Sequence, residues 1–191
     1  MNALRLRSIL SNPLEDRTSR QSSAPSDNRV RSTLLVAAVC FCIPQHLSAQ
    51  GTVDFTNDDK LRGVDAPVFD VDCATKLDGF QGWVAQLYVG TQSAGPLTAG
   101  PGVVPFKSGG KAGYFDGNIL GIPSIASGVL AYIQVRVWNS AGGQYASYEE
   151  AARRGQFVGS SAVFAVVTGS GFGPPLTGLQ SFCLVSPIEV S

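Results

Sequence analysis

Carboxylates are the residues of this 191-residue chain with the most chemistry to offer. Two Asp or Glu side chains flanking a glycosidic bond can hydrolyse it without histidine, one as acid and the other as base or nucleophile. The candidates are Asp65, Asp70, Asp72, Asp78 and Asp116. Scattered surface acids are also ordinary in exported domains, so an Asp-based glycoside hydrolase ranks last among the readings below. Asp70 and Asp72 carry a second option. If they lie on a strand, alternation puts both carboxylates on one side, where they could offer oxygen ligands to Ca²⁺. The positions that an EF-hand-type loop would fill with Asp or Asn and then Gly hold Ala74 and Thr75 instead, so solvated acids at a strand end are the competing reading. No other cofactor is implied.

Imidazole chemistry is excluded more firmly. The single histidine, His46, falls in a segment expected to be removed on export. Ser-His-Asp and Cys-His mechanisms need an imidazole base, and zinc sites lean on imidazole nitrogen. Glycine clusters at 100–102, 109–113 and 169–173 lie among strand-like runs rather than between a strand and a helix, so they read as β-turns and not as phosphate-binding loops.

Aromatic residues beside polar ones suggest a different activity. In GVLAYIQVRVW, Val129, Ala131, Ile133, Val135 and Val137 fall on one face, and Leu130, Tyr132, Gln134, Arg136 and Trp138 on the other. Tyr132, Arg136 and Trp138 could form a sugar-binding platform, as could Tyr88 with Gln86 on another strand. The competing reading is that these aromatics pack under a loop or a second layer. Of four cysteines, Cys40 and Cys42 precede the expected cleavage point, which leaves Cys73 and Cys183 as an expected disulfide, with two free thiols as the alternative.

The elements that would position these groups are mostly strands. Val53–Phe55, Pro67–Val71, Trp83–Val89, Val129–Trp138, Ala162–Val167 and Leu179–Val185 are short runs rich in Val, Ile, Phe, Tyr and Trp, separated by turn formers. Residues 91–105 and 169–175 are Gly/Pro-rich and read as loops. One short helix near 148–154 is signalled by Ser147 as cap, Glu150 completing a capping box, basic Arg153 and Arg154 at the far end, and Gly155 as stop. The expected fold is a single antiparallel β-sandwich of Ig-like or jelly-roll-like type over residues 51–186, with 187–191 as a short remnant.

Ahead of this domain, Arg29 and Arg31 precede ten apolar residues, Leu34 to Ile43, and then Pro44, Leu47, Ser48 and Ala49. Basic, apolar, then small is the order of a secretory signal, expected over 29–49, and the apolar run is too short to span a bilayer. Residues 1–28 are polar and rich in Ser, Arg and Asp, so they read as a disordered tail. A start at Val30 would leave them untranslated. Residues 51–191 hold eleven acids and eight bases, a net charge of −3. Without a run of basic residues there is no footprint for nucleic acid or an anionic membrane.

The ordered blocks GTVDFTN, VDAPVFDVD, WVAQLYVG, PFKSGGKAGYFDG, IQVRVWNSAGG, YEEAARRGQFVGSSAVFAVVTG and GPPLTGLQSFCLV cover nearly all of residues 51–186. In them the chain resembles a family of secreted proteins of Verrucomicrobia and relatives whose members typically end in a PEP-CTERM sorting tail. The resemblance implies an exported β-rich domain delivered to the cell surface or extracellular matrix. It also implies that Cys73 and Cys183 were gained together, since small residues such as Gly and Ser usually stand there in the family. This chain departs from the pattern after Val185, reading Ser186, Pro187, Ile188, Glu189, Val190, Ser191 without a Pro-Glu-Pro motif, so a soluble exported product is expected, with a truncated gene as the alternative.

The leading expectation is therefore an exported, non-enzymatic structural or adhesive domain, with a carbohydrate-binding module as the alternative. Extracellular polysaccharide or surface proteins are the expected partners. Nucleic acid is not, nor is a membrane once the signal is cleaved.

Overall fold

The structure, a computed structural model, describes residues 49–186. The expected tail over 1–28, the signal over 29–49 except Ala49, and the remnant over 187–191 lie outside the described residues. The described residues are mainly β with one short α-helix, and their sheets are open. The strands are β1 (Gln50–Thr56), β2 (Asp58–Asp59), β3 (Val64–Asp65), β4 (Val68–Phe69), β5 (Trp83–Gly90), β6 (Thr98–Pro105), β7 (Asp116–Ala126), β8 (Leu130–Asn139), β9 (Val158–Ser160), β10 (Phe164–Val167) and β11 (Phe182–Val185). The helix, α1 (Tyr148–Arg153), lies between β8 and β9.

A seven-stranded sheet runs in the order β4-β11-β9-β8-β5-β6, with β10 also paired to β8. β1 and β7 form a two-stranded ribbon, and β2 pairs with β3. Only the β4–β11 pair is parallel among these ladders. β8 is the centre because its alternation is the cleanest in the chain. Ala131, Ile133, Val135 and Val137 are completely buried and meet Val53 and Phe55 of β1 and Ile122 and Ile125 of β7 in one core. Each buried Val, Ile or Phe side chain here contributes about 1.5–3 kcal/mol by leaving water. The opposite face of β8 is covered at one end only, where Trp138, Val84 and Val158 pack beneath Ala151 of α1.

β6 and β7 depart from the sequence expectation, which read 91–105 as loop and left 116–126 unassigned. Both strands carry proline and glycine, and both accommodate them in irregular stretches of the ladder. The β5–β6 register jumps between Gln86↔Val103 and Tyr88↔Ala99, so Gly100, Pro101 and Gly102 bulge out, and the Gln86 side-chain amide donates to the freed Gly100 carbonyl at 2.9 Å. The β1–β7 register jumps between Gly51↔Ile122 and Gln50↔Ala126, which leaves Pro123 outside the paired positions. A proline in a bulge removes no ladder hydrogen bond.

The strand expected over Pro67–Val71 is confined to Val68 and Phe69. Those expected from Ala162 and Leu179 begin later, at Phe164 and Phe182. The helix forms where its signals lie. Ser147 Oγ accepts from the Glu150 amide at 3.1 Å, and Glu150 Oε2 accepts in return from the Ala146 amide at 3.0 Å, one residue before the position a standard capping box would use. Gly155, at φ 71°, ends it.

Candidate functional site

The expected sugar platform of Tyr132, Arg136 and Trp138 is not assembled. Trp138 is 0% exposed, lies under α1, and donates its indole N–H to the Tyr145 carbonyl at 3.1 Å. The alternation of β8 does place it on the outer face, but the helix covers that end of the face. A fully buried indole cannot stack on a sugar.

Arg136 is held in packing as well. On the outer face its guanidinium carbon sits 4.0 Å from the centre of the Tyr88 ring and 5.1 Å from that of Tyr148, so two aromatic rings from β5 and α1 flank one cation. Its Nη1 donates to Glu149 Oε1 at 2.7 Å and its Nε to Gln134 Oε1 at 2.9 Å. Glu149 Oε2 accepts from the Tyr88 hydroxyl at 2.9 Å. Burial, and then the Glu149 carboxylate, push the Tyr88 phenol well above its ordinary range. The group docks the start of α1 on the sheet. Tyr132, half-buried opposite Gly90 and Ala165, is the one member of the expected trio left accessible and outside this network.

Asp70 and Asp72 do not share a strand face, because β4 ends at Phe69 and the chain turns. Asp70 Oδ1 accepts from the Val71 amide at 2.7 Å. Asp72 Oδ1 accepts from the amides of Ala74 and Thr75 at 2.9 and 2.8 Å, and its Oδ2 from the Thr75 hydroxyl at 2.6 Å. The Thr75 hydroxyl and then these backbone donors hold the Asp72 carboxyl below the usual range. Asp72 shapes the loop rather than facing Asp70 across a cation site, and no group of three or more His, Cys, Asp or Glu among the described residues is placed to hold a metal.

The remaining acids are likewise engaged. Asp78 accepts from the Phe80 amide at 2.9 Å and the Gly109 amide at 3.2 Å, which lower its pKa. Asp116 pairs with Lys107 at 3.2 Å. Asp65 is lowered first by the Tyr114 hydroxyl at 2.7 Å and further by Lys60 at 3.2 Å. A glycosidase acid needs the opposite shift.

Two features escaped the sequence. The first is a lysine cluster. Asn57, fully buried after β1, donates from its amide to the Ala66 and Gly113 carbonyls at 2.8 and 2.9 Å, while its carbonyl accepts from the Phe115 amide at 2.7 Å. The bonds to Gly113 and Phe115 fix residues 113–115 and with them the backbone of Tyr114. Lys76 Nζ lies 5.0 Å from the ring centre, Lys60 Nζ 5.8 Å and Lys111 Nζ 5.9 Å. Asp65, accepting the hydroxyl proton, and then burial raise the Tyr114 pKa to about 12. The three lysines come from separate segments, 16 and 35 positions apart in the numbering, so no local charge run announces them.

The second is an open groove of about 770 Å³ next to that cluster, lined by Asp54, Thr56, Asp58, Asp59, Asp116 and Asn118 together with Leu61, Arg62 and Ile119. Arg62 pairs with both Asp54 and Asp59. Asp58 belongs to both features, since it lines the groove and pairs with Lys111 at 2.6 Å.

Cys73 and Cys183 form the expected disulfide, with Cα atoms 5.3 Å apart across 110 residues. Cys183 stands in β11 in register with Phe69 of β4, so the bridge ties the Asp72 loop to the last strand where the two strands pair. No helix among the described residues is long and apolar enough to cross a membrane. No family model, curated protein or solved structure matches the chain.

Proposed function

We propose that this chain is an exported, non-enzymatic β domain that serves as a structural or adhesive component of the cell surface or extracellular matrix, in keeping with the exported family it resembles. The observation that carries this reading is the Cys73–Cys183 bridge, since such bridges form and persist in oxidising compartments. The engagement of Arg136, Trp138, Asp65, Asp72 and Asp78 in packing and turn bonds supports the non-enzymatic part. Ca²⁺ has no place in this reading, because the Asp72 oxygens are taken up within their own loop.

Two assays test it. Protease shaving of intact producing cells is expected to release peptides of residues 51–186, and recovery of these only after lysis contradicts surface exposure. Incubating the purified chain with a polysaccharide panel is expected to generate no new reducing ends. Turnover that an Asp65→Asn or Asp116→Asn variant abolishes would establish a glycosidase instead.

A further inference from the structure

We propose that Lys60, Lys76 and Lys111 around Tyr114, together with the adjoining acidic groove, bind an acidic polysaccharide, with a carboxylate or sulfate seated among the lysines and sugar hydroxyls along the groove. This deepens the surface-or-matrix reading by naming a ligand class, and it rests on that reading for the ligand being within reach.

All three ammonium groups lie within 5.9 Å of one ring centre, although like charges repel. The Tyr114 face attracts each of them. Two carboxylates offset two of the charges, Asp65 on Lys60 and Asp58 on Lys111. Lys76 has no ion-pair partner among the described residues, so the cluster keeps an excess positive charge at an exposed position on a domain of net negative charge. The position is also built rather than accidental, because the backbone of Tyr114 is fixed by the fully satisfied Asn57 and its hydroxyl is spent on Asp65.

The groove decides which polyanion fits. Asp54, Asp59 and Asp116 line it beside Asp58, which joins it to the lysines. A nucleic-acid duplex carries one charge per about 1.7 Å of axis, and its phosphates would have to run past these carboxylates. An acidic polysaccharide spaces its charges sugar by sugar. One acidic group can enter the lysine cluster while neighbouring hydroxyls donate to the aspartate oxygens along the groove.

The test uses the exported chain with its disulfide intact, immobilised and titrated with polygalacturonate, dextran sulfate, neutral dextran and a short DNA duplex at low and high salt. Binding of polygalacturonate or dextran sulfate, weakened by salt, is expected, and the two arms separate carboxylate from sulfate recognition. Lys76→Gln should weaken it about fivefold, the scale of one exposed charge pair. Lys76→Arg should largely retain it, and Arg154→Gln should leave it unchanged. Lys76→Arg keeps the cation over the Tyr114 ring and should melt as wild type does, while Lys76→Gln should still fold, because Lys76 is exposed. The Lys60→Gln/Lys111→Gln double variant provides a second reading of the same site. The proposal is overturned if neither acidic polysaccharide binds, if neutral dextran binds equally well, if the lysine variants bind as wild type, or if DNA binds more tightly than both. Any of these would leave the export reading, tested by shaving, untouched.

Discussion

The carboxylate of Glu149 is shared between two strands of the sheet: one oxygen takes Arg136 Nη1 of β8 at 2.7 Å and the other takes the Tyr88 hydroxyl of β5 at 2.9 Å. Since Glu149 is the second residue of α1, this pair of bonds sets where the helix lands, and the landing site is what buries Trp138.

Arg136→Ala is expected to lower stability by about 1–2 kcal/mol, from one partly exposed ion pair and the flanking aromatic contacts. Arg136→Lys should restore little of it, because a single ammonium cannot bond Glu149 and Gln134 together while lying over the Tyr88 ring. Urea unfolding of the three proteins checks this, and equal midpoints for Lys and wild type would count against the forked contact.

Trp138→Ala is expected to cost about 3–5 kcal/mol, the range for emptying a buried large aromatic site. Tyr132→Ala, at a half-buried position, should cost within about 1 kcal/mol. If the two variants were equally stable, the separation of a packing Trp138 from an accessible Tyr132 would be wrong.

Reducing the Cys73–Cys183 bridge, or replacing both residues by Ser, should destabilise the fold by about 4–5 kcal/mol if chain entropy dominates for so long a loop. Cys73 sits at φ 52°, a left-handed conformation that the Asp72 turn and the bridge together impose. The loop over residues 70–75 should therefore be the first region to gain hydrogen exchange on reduction.

Stability should fall at both ends of the pH scale. Asp65, Asp72 and Asp78 are lowered from 3.8 in the fold, so their contribution is present above that value and is lost as pH drops through their folded values. Tyr114 is raised from 10.0 to about 12, so the fold favours its neutral form. That contribution is intact below pH 10 and disappears as pH rises toward 12. Melting temperatures across the range check both limbs, and Tyr114→Phe should flatten part of the alkaline one.

What the sequence revealed follows from which interactions are local. β5 and β8 were legible because period-2 alternation is written into consecutive residues, and α1 because its cap, acids, bases and stop lie within nine residues, 147–155. β6 and β7 were not, since Pro101 and Pro123 forbid a regular strand and only pairing with β5 and β1 supplies the irregular registers that tolerate them. Trp138 was placed on the correct face, but a sequence does not state which part of a face a later helix will cover. The lysine cluster was invisible for the same reason: Lys60, Lys76 and Lys111 lie far apart in the sequence and meet only around the Tyr114 ring in the fold.

Export and the Cys73–Cys183 bridge are read together in one experiment, fractionation of cells producing the full chain, with free thiols trapped by alkylation at lysis and peptides mapped by mass spectrometry. If the domain is exported, the product begins after Ala49 and lies in the exported fraction with Cys73 and Cys183 joined. A full-length chain in the cytoplasm with both cysteines alkylated would rule export out.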